Sequence, residues 1–295
     1  MRKFLLLLAV IIICFALIGC KAENSNIQIA ATTLPVYEFT SALCEGTDIQ
    51  VTRLITEEVS CLHDYSLQVK QMRAIDKADL IVISGAGLED FLHDVLTDKR
   101  KIVDASIGIP LLCGDPEEST HEHSHKEHMH NQDPHIWLSP TNAALMSTNI
   151  YNALSASYPQ YCESFKANFQ KLNDKFNALT DYANNELLNL RHRSIITFHD
   201  GFHYMADAFN LSILHAIEEE SGCEASAAEL ISLIKIVSEN KLPAIFTEKN
   251  SSGAAASVIS TETGVKIFAL DMAMSGDSYF AAMYHNIDTI REALS

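Results

Sequence analysis

Positive charge is scarce in this 295-residue sequence: 21 Lys plus Arg face 38 Asp plus Glu, a formal net charge of −17. Arg2 and Lys3 fall in a leading segment read below as removed, so the remaining body sets 19 basic side chains against 38 acidic ones, a net −19. A surface of that sign repels phosphate backbones, which excludes nucleic acid as a partner and favours cations. Long apolar runs are missing past the first twenty residues, so nothing downstream reads as a membrane span. Cysteine is sparse too, seven in all, too few to staple a mini-domain without a core. The 47% apolar content supplies that core and excludes general disorder. The length accommodates one large domain or two of ordinary size.

The N-terminus reads as an address. Met1-Arg2-Lys3 gives a positive start, and residues 4–18 run fifteen apolar residues without a break. A spanning helix needs about 20, so a signal peptide over residues 1–19 fits better. Its end, Leu17-Ile18-Gly19-Cys20, looks like the bacterial lipobox. That resemblance implies cleavage before Cys20, lipid on its sulfur, and a polar tether over residues 20–26. The body is then held on the outer side of a membrane, where conditions are oxidising. Five cysteines remain there, Cys44, Cys61, Cys113, Cys162 and Cys223, enough for two disulfides at most, with the pairing open.

Short β-branched runs alternate with helical patterns. Strands are expected over residues 27–33, 49–54, 80–84 and 101–103, with helices over 66–77 and 88–96. The second half repeats the scheme, with strands over 194–198, 211–216, 244–247 and 265–270 and helices over 201–209, 226–240 and 254–263. Alternation of this kind predicts an α/β fold whose lobes are mostly parallel sheets flanked by helices. Between them, Phe165, Phe169, Leu172, Phe176, Leu179, Ala183, Leu187 and Leu190 form one apolar stripe at helical spacing with no Gly or Pro to interrupt it. The expected organisation is an N-terminal lobe over 27–158, a linking helix over 159–191 and a C-terminal lobe over 192–295. A helix over residues 160–190 would run about 46 Å at ~1.5 Å per residue, a stiff strut.

Histidine carries the chemistry. His121, His123, His125, His128 and His130 put five imidazoles in ten residues, inside a polar loop over 115–132 that lacks any apolar anchor. It reads as a mobile loop that binds metal loosely. Sharper candidates stand singly. His199 follows one expected strand directly and Asp271 another, and in open α/β sheets ligands sit outside the carboxyl ends of strands. His63 follows the 49–54 strand after a loop, and His135 precedes Ser139-Pro140, a helix start. His203 lies four residues after His199, the spacing of zinc-chelating helical pairs, but no Glu follows the first His, so it reads as a surface or supporting residue.

Together these stretches resemble a known family. His63-Asp-Tyr, Ala78-Asp-Leu, Gly85-Ala-Gly-Leu-Glu89, Asp133-Pro-His-Ile-Trp-Leu, Phe198-His-Asp-Gly-Phe202, Ala244-Ile-Phe-Thr-Glu248, Glu262-Thr-Gly-Val265 and Leu270-Asp271 are similar, in order, to the metal-binding lipoproteins of bacterial ABC importers for zinc and manganese. The resemblance implies two lobes on a rigid helix and a metal held by His63, His135, His199 and Asp271. It also implies delivery to a permease by a lipid-anchored monomer, with no catalytic role. One departure stands out: the family usually has Pro before the first His and Glu-Pro after the Tyr, where this chain reads Cys61-Leu-His-Asp-Tyr-Ser-Leu67.

Three imidazoles and a carboxylate suit zinc, and manganese members carry Glu where this chain has His199. The alternatives are a manganese-specific member, a zinc hydrolase, for which no general-base Glu is apparent, and an adhesin role, which has no sequence signal of its own.

Overall fold

The computed structural model describes residues 26–58, 62, 65–96, 98–112, 132–217 and 225–295. The expected signal peptide, Cys20, His63, the tract from His121 to His130, and Cys61, Cys113 and Cys223 lie outside them. Cys44 and Cys162 carry free thiols, and burial pushes Cys44 up to about 12.

Two four-stranded parallel sheets form the frame. The first comprises β1 (Gln28–Ala31), β2 (Gln50–Arg53), β3 (Leu80–Ile83) and β4 (Ile102–Asp104) in the order β2-β1-β3-β4. The second comprises β5 (Ser194–Thr197), β6 (Ser212–Ala216), β7 (Ala244–Glu248) and β8 (Lys266–Leu270) in the equivalent order β6-β5-β7-β8. Central strands of such sheets are covered on both faces and are apolar throughout. Ile29, Ala30 and Ala31 of β1 and Ile245 and Phe246 of β7 are accordingly buried. In each sheet the chain runs to one side of the first strand and then crosses back to the other. That leaves a topological switch point between β1 and β3 and another between β5 and β7.

Eight α-helices cover the sheets among the described residues: α1 (Leu34–Leu43), α2 (Val69–Lys77), α3 (Pro140–Ser157), α4 (Cys162–Glu186), α5 (His203–Ala208), α6 (Ala227–Asn240), α7 (Ala254–Thr263) and α8 (Tyr279–Leu294). Their starts follow local chemistry. The Ser139 hydroxyl accepts from Asn142 N ahead of Pro140 in α3, and Ser226 and Glu229 close a capping box on α6. Among the described helices none is long and apolar enough to cross a membrane.

The expected stripe from Phe165 to Ala183 lies on α4, an unbroken 25-residue helix about 38 Å long, entered through a 3-10 turn over Pro159–Tyr161. The helix ends at Glu186, short of the expected Leu187 and Leu190. It is the spine of the molecule. Phe176 meets the edge of Phe39 from α1 at 5.2 Å between centroids and packs against Phe280 of α8 at 5.1 Å, so one helix serves both halves. The expected helix over 88–96 does not form; the segment holds a 3-10 turn over Asp90–Leu92 and then turns. Glu89 points inward there, its carboxylate accepting from Thr32 Oγ1, Ser84 N and Gly85 N, which ties the segment to the loop after β3.

Direct bonds join the halves beside the ends of the strands. The fully buried Trp137 donates from Nε1 to Met272 O at 2.8 Å, Tyr279 Oη donates to Trp137 O at 2.9 Å, and Leu34 N donates to Met274 O at 3.2 Å. The loop after β8 is thereby docked onto the first half.

Candidate metal centre

His135 and His199 come together although 64 positions separate them. Their ring centroids are 5.3 Å apart and the planes nearly perpendicular at 82°. His199 lies two residues beyond β5, at the carboxyl end of the strand that borders the switch point of the second sheet. His135 arrives from the first half, on the turn that leads into α3. Gly201 makes the approach possible: a Cβ there would stand 2.7 Å from His199 Cδ2 and 2.8 Å from His135 Nδ1. No side chain fits between the loop and the two rings.

Each imidazole is held from behind by a carboxylate. Asp133 Oδ1 lies 2.8 Å from His135 Nδ1 and also accepts from the His135 backbone N at 2.9 Å, with both side chains buried. Asp133 Oδ2 makes no hydrogen bond among the described residues. On the other side, Glu248 closes β7 and sets Oε2 3.5 Å from His199 Nδ1. Burial, with the Asp271 charge adding to it, pushes the Glu248 carboxyl up to about 7. Both rings thus meet their carboxylate through Nδ1, the arrangement that turns Nε2 toward a metal.

Asp271 follows β8 and is fixed by the fully buried Asn286, which accepts from Asp271 N at 2.8 Å and donates to Asp271 O at 2.7 Å. Its Oδ1 accepts from Ala273 N at 2.8 Å, and its Oδ2 lies 3.1 Å from Lys249 Nζ. Ala273 adopts a positive φ of 53°, a conformation that costs a residue with a Cβ some strain and that concentrates at functional loops. His203 borders the other oxygen of the carboxylate behind His135: its Nδ1 is 3.4 Å from Asp200 Oδ1 and 3.8 Å from Asp133 Oδ2. Among the described residues no three His, Cys, Asp or Glu side chains gather closely enough to hold a metal. What they do assemble is two imidazoles in contact, with Asp271 near enough for its charge to act on Glu248.

The sequence matches, over residues 29–293, the family described as zinc-uptake complex component A, periplasmic. The chain belongs to this family. Relatives of the zinc-uptake component A family include the zinc-binding lipoprotein AdcA of Streptococcus pneumoniae, 32% identical over 99% of this chain and 61% of AdcA. A putative metal-binding protein of Treponema pallidum is 29% identical over 94% of this chain and 92% of its own length. Among solved structures, the Zn(II)-bound ZnuA-like domain of Streptococcus pneumoniae AdcA superposes with a TM-score of 0.75 at 30% identity, covering 92% of this chain and 99% of that domain. The chain spans about three-fifths (61%) of the length of the AdcA relatives it matches. The two-lobe architecture expected from the sequence is the family's fold.

Sequence reasoning missed four residues of the site. Asp133 and Glu248 lay inside quoted motifs without a role, and Glu248 is the acid that seemed absent near the histidines. Lys249 and Asn286 carried no local signal, because each meets its partner only through the fold. Gly201, flanked by His199 and His203, was the one readable clue, since a glycine between candidate ligands marks close approach.

Proposed function

We propose that this protein captures zinc outside the cytoplasm and hands it to the permease of an ABC importer, working as a monomer anchored through lipid on Cys20. The metal is the cargo, held by His63, His135, His199 and Asp271. The observation that carries this reading is the imidazole pair at the sheet's switch point, each ring backed through Nδ1 by a buried carboxylate. The donor set fits: three neutral imidazoles and one carboxylate satisfy a four-coordinate, borderline-soft cation. Zinc in the relatives' names and in the neighbouring structure supports the same metal for this chain. Manganese favours more oxygen ligands, so nitrogen at position 199 argues against it.

A binding protein fits better than a hydrolase. Among the described residues Glu248 stands against His199, and it lies on the Nδ1 side of the ring, away from the nitrogen that would face the metal. A catalytic zinc instead needs an open position and a base beside its bound water. The His-rich tract acts in this reading as a loose collector, since a polar loop must lose chain entropy to grip metal.

The test is elemental analysis of the purified, tag-free mature protein with zinc and manganese in competition. One tightly held zinc that manganese does not displace is expected. Retention of manganese in preference to zinc, or turnover of an ester or peptide substrate, would contradict the proposal.

A further inference from the structure

Two successive residues at the end of β7 serve two different ligand side chains. Glu248 sets its carboxyl against His199, and Lys249 sets its ammonium 3.1 Å from Asp271 Oδ2. The backbone holds this register: Lys249 N donates to Leu270 O at 2.8 Å, so Lys249 is fixed directly beside the residue that precedes Asp271. The Asp271 carboxylate then has both oxygens engaged, Oδ1 by Ala273 N and Oδ2 by Lys249. Oδ1 is tied to its own loop by Ala273 N. A cation that takes Asp271 through Oδ2 meets an ammonium there.

We propose that Lys249 is a built-in competitor for the metal, an ammonium that holds Asp271 Oδ2 and must swing aside when zinc binds there. The inference rests on the reading that Asp271 takes the metal. The side chains of the pair differ in a way that suits exchange: Asp271 is 17% exposed and Lys249 60% exposed. The carboxylate is largely buried and held by its own loop, while the ammonium, on a flexible four-carbon stem, leaves for water with little loss. Binding therefore trades one exposed ion pair for a metal bond, and release is assisted by the ammonium's return. A fully buried lysine would block the site. An exposed one only tunes it, because pairs of this kind contribute little and are screened by salt.

The experiment compares Lys249→Met, Lys249→Arg, Asp271→Asn and the double variant Lys249→Met/Asp271→Asn in the full mature chain. Zinc dissociation constants come from competition with a chromophoric chelator, and zinc loss is followed by stopped flow. Lys249→Met is expected to bind zinc about two- to fivefold tighter and lose it correspondingly more slowly, with the difference shrinking at high salt. Lys249→Arg keeps the charge and should remain close to the parent. In the Asp271→Asn background the methionine should have no effect. If Asp271→Asn binds zinc as the parent does, the assignment of Asp271 falls and the proposal with it. If Asp271→Asn loosens zinc while Lys249→Met binds no tighter than the parent, the proposal alone is overturned.

Discussion

Replacing Asp133 by Asn probes how the imidazole of His135 is held. Asp133 Oδ1 accepts two bonds, from His135 N at 2.9 Å and from Nδ1 at 2.8 Å, with the aspartate and histidine side chains 4% and 9% exposed. Asparagine keeps an oxygen at that position, so both bonds and the local turn survive. What it removes is the negative charge that makes the ring a stronger donor to a cation. Its amide NH2 takes the Oδ2 position, which makes no hydrogen bond among the described residues and lies 3.8 Å from His203 Nδ1. Loss of a carboxylate that orients a metal-ligating histidine costs ~10–100-fold in affinity, and the retained geometry places Asn near the lower figure, ~1.4 kcal/mol. Alanine removes the acceptor as well and leaves His135 N without its bond, which adds about 1–3 kcal/mol of instability to a larger loss of affinity. Chelator competition gives the affinities, and thermal unfolding without metal separates the stability loss. The cobalt-substituted protein supplies a spectrum that reports the ligand field. Parent-like zinc binding in both variants would refute the idea that Asp133 prepares His135 for metal.

Three further outcomes follow from the same geometry. His199→Ala should cost far more zinc affinity than His203→Ala, because the Nδ1 of His203 lies against Asp133 and Asp200 while His199 is in the ring pair; equal losses in a chelator titration would restore the helical His pair as the ligand site. Deleting residues 120–131 should remove weak zinc equivalents in equilibrium dialysis and leave one tight site, and loss of the tight site would place a primary ligand in the loop. Burial of Glu89 raises its carboxyl to about 7 from an ordinary value of 4.5, so the folded state holds a proton that the unfolded chain has released. The stability this group contributes is full below about pH 4.5 and falls by ~3 kcal/mol as pH rises toward 7. Urea titrations at pH 5 and pH 8 should show a decline in the parent and a clearly smaller one in Glu89→Gln, where Glu248, raised to about 7 as well, still contributes; an unchanged decline in the variant would assign it elsewhere.

The sequence made the strands readable because runs such as Leu80-Ile-Val-Ile83 and Ser194-Ile-Ile-Thr197 are buried on both faces and bounded by turns. The long helix was readable because α4 faces water on its other side and so keeps a clean stripe. Helices α1 and α8 were not, for the opposite reason. In α8 the buried set includes Tyr279, Phe280, Ala282, Met283, Ile287, Ile290 and Leu294, so apolar residues spread over much of its circumference and no stripe stands out. Residues 88–96 looked helical, but the buried bonds from Thr32, Ser84 and Gly85 to Glu89 outweigh that local preference. At the site, His199 and Asp271 were legible from strand ends and His135 from its motif. Glu248 beside His199 and Lys249 beside Asp271 were not, because the bordering of β7 by β5 and β8 decides them, and strand order is not written locally.

The most direct test of the central claim is the zinc dissociation constant of His63→Ala, His135→Ala, His199→Ala and Asp271→Ala, each measured by chelator competition against the parent in one buffer. The account predicts a single tight zinc in the parent and, in every one of the four variants, a loss greater than that caused by Asp133→Asn. Parent affinity in any of the four would contradict the ligand set and the capture mechanism built on it.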